Sequence, residues 1–96
     1  MRKSRPRYPH PRDCGLVKAV LQNTVPMDSE IQEGWRHSVN HVPNYRLQGQ
    51  TRSLTWFVDV YAGSHYVVTV SDRLPEICKS IPSTVNYLRR MLGIRT

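Results

Sequence analysis

The residues best suited to chemistry in this chain are arginines and lysines, and their excess over acidic residues lies at its two ends. Residues 1–12 carry five basic residues and no acidic one, residues 13–88 carry a net charge of −1, and the last eight residues add +3. The 96-residue chain therefore has a net charge of +7. Guanidinium and ammonium groups bind phosphate, so this distribution predicts nucleic acid, DNA or RNA, as the partner. An acidic protein surface is the alternative partner.

The first basic group is an N-terminal arm, residues 1–12, with prolines at positions 6, 9 and 11. Each proline removes a backbone donor and restricts the residue before it, so we expect an extended or disordered arm. Tyr8 and His10 lie among the basic residues and could stack on bases while arginines contact phosphates. The alternative is a solvated leader without a binding role. The arm residues predicted to bind nucleic acid are Arg2, Lys3, Arg5, Arg7 and Arg12.

The second basic group lies in a helix that we predict over residues 82–92. Pro82 suits the first turn of a helix, and Gly93 suits the position just after its end. The segment before it, LPEICKSI, has apolar residues at helical spacing and follows Ser71 and Asp72, either of which can cap a helix. We therefore expect two C-terminal helices with a break before Pro82.

Together these segments, LPEICKSIPSTVNYLRR, resemble the helix-turn-helix pattern of DNA-binding proteins. The matching residues are Glu76, Ile77, Cys78, Ser83, Thr84, Val85 and Leu88. The resemblance implies that the second helix contacts bases and phosphates, and it slightly favours DNA over RNA. In the alternative, this helix is amphipathic and closes the core, with its arginines near the negative end of the helix dipole. The residues predicted to contact nucleic acid here are Ser83, Thr84, Asn86, Tyr87, Arg89, Arg90 and Arg95.

Two helices are predicted in the first half of the chain. The first covers residues 13–23, with Asp13 as its cap and an apolar stripe along one face. A second, shorter helix would follow Asp28 and place Ile31 and Trp35 on a common face. Trp35 is then expected in the core.

A β-hairpin is predicted by RSLTWFVDVYAGSHYVVTV, with strands over residues 53–61 and 65–71. With a three-residue loop, one face carries Leu54, Trp56, Val58, Val60, Tyr66, Val68 and Val70. A third strand near residues 45–49 is an alternative. The predicted fold class is α+β: N-terminal helices, an antiparallel hairpin or three-stranded sheet, and two C-terminal helices packed on one sheet face. A single domain over residues 13–96 would follow the arm, with Trp56 in its core.

Three other sites can be drawn from the sequence. The second hairpin face carries Phe57 and Tyr61, which could stack on single-stranded bases unless a helix covers them. A small ribonuclease would need acid–base and phosphate-binding groups, and the residues available together are His65, Tyr61, Tyr66 and Arg52. A zinc site could be drawn from His10, Cys14, His37 and His41, although surface histidines and a buried cysteine explain the same residues.

We therefore predict a small, basic, non-enzymatic nucleic-acid-binding protein with an accessory or regulatory role, without cofactor or metal. The alternative is a binding inhibitor or assembly factor, for example from a phage or plasmid, that docks on an acidic protein, and the third is a ribonuclease toxin. A homodimer is compatible with the small predicted sheet. Two cysteines, no secretory leader and no apolar run of membrane-spanning length favour the cytoplasm and no membrane partner.

Overall fold

The chain folds into a five-stranded antiparallel sheet with two helices, described here from a computed structural model of residues 7–37 and 42–94. The strands follow each other as a meander, so that each one pairs with its neighbour in sequence. In chain order the elements are α1 (Pro11–Thr24), β1 (Gln32–His37), β2 (Pro43–Thr51), β3 (Leu54–Tyr61), β4 (His65–Val70), β5 (Glu76–Cys78) and α2 (Ile81–Met91).

The first predicted helix is confirmed as α1, which begins two residues earlier than expected. Pro11 occupies the first turn, where its missing N–H costs nothing. The cap is His10 rather than Asp13: the His10 Nδ1 accepts a hydrogen bond from the Arg12 N–H at 3.0 Å. Asp13 lies in the first turn, where its charge complements the helix dipole.

The predicted hairpin is confirmed as β3 and β4, in the expected register. Val58 lies opposite Val68, and Val60 lies opposite Tyr66, which places the predicted apolar set on one face. The three-residue loop accommodates this register because Gly63 and Ser64 both adopt positive φ, at 79° and 59°. The alternative third strand is also present, as the longer β2.

The core lies between one face of the sheet and both helices. Trp56 lies in the core as predicted, at 0% exposure, and is the largest side chain there. Its ring lies across Gly49, the residue opposite it on β2, and its Nε1 donates a hydrogen bond to the Thr51 Oγ1 at 3.0 Å. The helices contribute Cys14, Val17 and Leu21 from α1, and Val85 and Leu88 from α2.

The predicted second helix is wrong, because residues 32–37 form the edge strand β1. Trp35 lies opposite Tyr45, and Glu33 lies opposite Leu47. The four-residue spacing of Ile31 and Trp35 was compatible with a helix, but pairing with β2 satisfies this backbone instead.

The first of the two predicted C-terminal helices is also wrong. Residues 71–75 form a turn and a short irregular loop, and Glu76–Cys78 pairs with β4 as the short strand β5. Leu74 and Ile77, expected on a buried helical stripe, are 87% and 63% exposed. The last helix is confirmed as α2, but the first helix of a helix-turn-helix pair is absent from residues 72–80. The predicted fold, with paired C-terminal helices on two or three strands, is therefore wrong. In the described chain one helix precedes a five-stranded meander and one helix follows it.

Neither α1 nor α2, the two helices among the described residues, is long and apolar enough to cross a bilayer.

Candidate nucleic-acid interface

Four rings from three separate segments meet at the β1 edge of the sheet. This aromatic cluster consists of Tyr8, Trp35, His37 and Tyr45. The Trp35 ring lies 5.0 Å from Tyr45 and 5.5 Å from Tyr8 between centroids, with edge-to-face angles of 74° and 78°. Tyr8 also meets His37 at 6.5 Å. The cluster therefore fixes the start of the described chain against β1.

The aromatic cluster is open to solvent. Trp35 is 49% exposed and Tyr8 is 56% exposed, so the prediction that Trp35 belongs to the core is wrong. Trp35 shares the helix-covered side of the sheet, but α1 reaches only the neighbouring position, where Lys18 forms an ion pair with Glu33. A half-exposed tryptophan beside a half-exposed tyrosine offers ring faces on which a base can stack.

The carboxylate next to the cluster, that of Glu33, is engaged by two partners. It pairs with Lys18 and accepts a hydrogen bond from the Tyr45 hydroxyl at 2.6 Å. The Lys18 ammonium, followed by the Tyr45 hydroxyl, holds the pKa of Glu33 below its ordinary value. The same bond to Glu33 raises the pKa of Tyr45 to about 12. Exposed Arg7 and Arg36 flank the rings in sequence and have no such partner carboxylate among the ion pairs of the described residues.

A shallow groove of about 220 Å³ lies on the other side of β1, above Gly34. Its walls include Arg36, Arg46 and Gln48. Arg46 is not available to a ligand, because its Nε and Nη2 donate to the Asp59 carboxylate at 2.7 and 3.0 Å. Asp59, only 4% exposed, also accepts from Asn44 at 2.9 Å, so this network is structural.

The predicted stacking platform on the second hairpin face is only partly available. Both helices pack on the opposite face, so no described helix covers Phe57 or Tyr61. However, the Arg46 guanidinium lies 4.4 Å above the Phe57 ring and occupies that face. Arg36, by contrast, is exposed at the edge of the same surface.

The two basic ends do not converge in the described structure. Arg89 donates a hydrogen bond to the Thr24 carbonyl at the end of α1, whereas the arm residues Arg7 and Tyr8 precede its start. The 14 residues of α1 separate these positions by about 20 Å. Arg89 therefore compensates the C-terminal end of α1, which has no basic residue in its own last turn. The arrangement favours the alternative in which the last helix closes the core.

The other predicted contact residues of α2 have mixed surroundings. Thr84 is buried and donates to the Ser80 carbonyl, while Ser83 takes part in the cap of the helix through Ser80. Tyr87 packs partly against the core. The exposed ones are Ser83, Asn86 and Arg90, and in the arm Arg7 and Arg12. The predictions for Arg2, Lys3, Arg5, His41 and Arg95 lie outside the described residues.

The residues proposed for a ribonuclease are not brought together. Tyr61 and His65 are paired on the second hairpin face, but Tyr66 is buried on the opposite face. Arg52 lies at the far end of β3, where its Nη1 donates to the Leu92 and Gly93 carbonyls. This geometry offers no joint acid, base and phosphate-binding group.

The zinc ligands suggested by the sequence have separate structural roles instead. His10 caps α1, and Cys14 is buried with its pKa raised by that burial. Across residues 7–37 and 42–94, no group of three or more His, Cys, Asp or Glu side chains is placed to hold a metal ion.

Comparison with family models, curated proteins and solved structures finds no match for this chain. Sequence reasoning missed Trp35 as a surface residue. The exposure of Trp35 could have been inferred from the flanking sequence, EGWRH. Charged or polar residues lie on both sides of the tryptophan there, and no apolar residue alternates with it.

Proposed function

We propose that this protein binds single-stranded nucleic acid at the β1 edge, with bases stacked on the aromatic cluster and phosphates held by Arg7 and Arg36. The observation that carries the proposal is the exposure of Trp35, at 49%, beside Tyr8, at 56%. A tryptophan kept this far from the core is a ready stacking surface. Exposed Arg7 precedes Tyr8 in the chain, exposed Arg36 extends from the opposite face of the same edge strand, and the neighbouring carboxylate is engaged internally.

A single strand suits this surface better than a duplex. Stacking on a side chain requires an unpaired base, and the paired helices that favoured duplex DNA are absent. The basic residues of the arm, Arg2, Lys3 and Arg5, precede Tyr8 in the sequence and would extend the phosphate contacts. The two buried thiols, Cys14 and Cys78, suit a reducing cytoplasm, which we propose as the location.

The two tryptophans provide a direct test, because Trp35 is exposed and Trp56 is fully buried. We expect a single strand of deoxythymidine or uridine to quench Trp35 fluorescence and protect it from iodide, while Trp56 responds to neither. Trp35→Phe should bind the strand with a moderately lower affinity. Trp35→Ala should lower the affinity by about 5- to 150-fold, the range for one stacked base. Fluorescence anisotropy of a labelled strand measures the affinity of variants without Trp35.

Arg73 supplies a matched control for the charge contribution, since it is exposed in the turn between β4 and β5, across the sheet from β1. We expect Arg7→Gln and Arg36→Gln each to lower the salt slope by about 0.7, as one lost phosphate contact does for single strands. Arg73→Gln should leave the slope unchanged. Equal effects of all three substitutions, with Trp35→Ala without effect, would refute this site. Base-free polyanions that bind as tightly as the strand would then favour the alternative, an acidic protein partner.

A further inference from the structure

A second groove begins at the aromatic cluster and runs beneath the N-terminal end of α1. It has a volume of about 440 Å³ and lies between residues 7–13 and the turn formed by residues 62–64. Tyr8 belongs to both this groove and the aromatic cluster. A strand with one base stacked on Trp35 can therefore place the next base beyond Tyr8, in a space within the usual volume range of ligand pockets.

The groove contains both an arginine and a carboxylate, Arg7 and Asp13. The two side chains form no ion pair with each other, and the hydrogen bonds found among residues 7–37 and 42–94 leave the Asp13 carboxylate unbonded. A free carboxylate repels phosphate. Asp13 complements the dipole of α1, and its carboxylate oxygens can also accept hydrogen bonds, so this groove favours a ligand that brings donors.

We propose that this groove holds a guanine base of the bound strand. This inference rests on the proposed function and gives it base specificity. Guanine has two adjacent donors, N1–H and the N2 amino group, which a carboxylate such as Asp13 accepts together. Its O6 and N7 are two adjacent acceptors, which suit the guanidinium of Arg7. The Tyr8 ring supplies the stacking contact.

The other bases match this pair of groups less well. Adenine and cytosine each place a ring nitrogen acceptor beside their amino donor, and that acceptor faces a carboxylate unfavourably. Thymine and uracil have one N–H between two carbonyl oxygens, so they also set an acceptor against Asp13. Guanine is thus the base whose donors and acceptors complement both charged groups of the groove.

The test compares short deoxythymidine strands of about ten nucleotides in which one central base is thymine, guanine, adenine or hypoxanthine. Hypoxanthine is guanine without the N2 amino group, so it removes one of the two donors to Asp13. We expect guanine to raise the affinity about tenfold over thymine. Hypoxanthine and adenine should lose most of that increase. Fluorescence anisotropy at fixed salt gives the four affinities.

Two variants assign the preference to the groove. Asp13→Asn should abolish the guanine preference while the all-thymine strand binds at least as tightly, because a negative charge is removed. Asp72→Asn, in the turn after β4, makes the same charge change far from the groove and should retain the preference. Arg7→Lys keeps the charge but loses the bidentate geometry, so it should also reduce the preference even if Asp13→Asn impairs folding.

Two failures can be told apart. If the all-thymine strand does not bind through Trp35, the proposed function is wrong. If that strand binds normally but the four bases give equal affinities, or Asp13→Asn keeps the guanine preference, the guanine groove is refuted and the stacking site remains.

Discussion

Replacing Gly49 with alanine should damage the core. A Cβ at this position would lie 2.1 Å from the Trp56 Cζ2, 2.5 Å from Cε2 and 2.7 Å from Cη2. These separations are far below ordinary carbon contacts of about 3.5–4.0 Å, so the closest atom of the indole would have to move by roughly 1.5 Å. Trp56 is fully buried, and close-packed protein interiors leave few voids into which a ring of this size can move.

The cost of Gly49→Ala has two parts. Forcing an extra methyl group into a packed core costs about 1–3 kcal/mol. Moving the indole also breaks the hydrogen bond from the Trp56 Nε1 to the buried Thr51 Oγ1, which adds about 1 kcal/mol. We expect a total loss of about 3 kcal/mol, which lowers the melting temperature of a domain this size by roughly 15 °C. Urea unfolding followed by circular dichroism measures it.

A matched control and a double mutant test the cause. Gly34 also lies in a strand, but a Cβ there meets no atom within 4 Å. Gly34→Ala should therefore be neutral or stabilising by about 0.5 kcal/mol, because alanine loses less backbone entropy than glycine. Trp56→Phe removes the ring atoms that clash, so Gly49→Ala should cost at least 1 kcal/mol less in that background. Additive costs in the double mutant, or a Gly49→Ala loss below 1 kcal/mol, would refute this account of the core.

Three other perturbations have defined outcomes. The raised pKa of Tyr45, about 12 against an ordinary 10.0, means that its bond to Glu33 stabilises the fold fully below pH 10 and is lost as the pH rises towards 12. Glu33→Gln should lower the pKa of Tyr45 towards its ordinary value. The Tyr45 titration is measured by tyrosinate absorbance, after subtraction of the same titration of a Tyr45→Phe variant. An unchanged titration would contradict this bond. Arg46→Leu leaves the Asp59 carboxylate, 4% exposed, without its cationic partner and should cost about 3 kcal/mol in urea unfolding, whereas a loss near zero would mean that the pair is dispensable. Ser53→Gly removes a side chain from a residue at φ 66° and should raise stability by about 1 kcal/mol in thermal unfolding; destabilisation would contradict the turn geometry.

The parts of the fold that sequence reasoning predicted are those with strong local patterns. Alternating β-branched and aromatic residues on both sides of a short loop specify β3 and β4, and the loop length fixes their register. Pro82 and Gly93 mark the limits of α2 in the same way. In each case the local preference and the final packing agree, so no information from distant residues is needed.

The two edge strands could not be predicted in the same way. β1 and β5 have mostly exposed side chains, so neither shows the apolar alternation by which a strand is recognised. Their conformation comes from pairing with β2 and β4, which is tertiary information. The apolar residues Ile31, Trp35, Leu74 and Ile77 have helical spacing by coincidence, and that spacing suggested helices at both edges.

The same reason explains why the candidate site was only half predicted. The basic arm and its interleaved Tyr8 were recognised, because charge and composition are visible in the sequence. The sequence predicts Trp35 in the core, because a tryptophan is usually buried and its spacing from Ile31 suits a helix. The edge position of β1, beyond the reach of α1, is what turns Trp35 into a surface residue.

The contact between Arg89 and the Thr24 carbonyl also constrains how the chain folds. It joins α1 and α2, the first and last elements, across 65 residues of sequence. Closing so long a loop is slow compared with forming the neighbouring strand pairs of the meander. We expect the hairpin of β3 and β4 to form early and the docking of the two helices to be the final step. In pulsed hydrogen exchange, amides of α1 should then gain protection together with those of α2 and after those of β3. The first helix in sequence would be among the last to become stable.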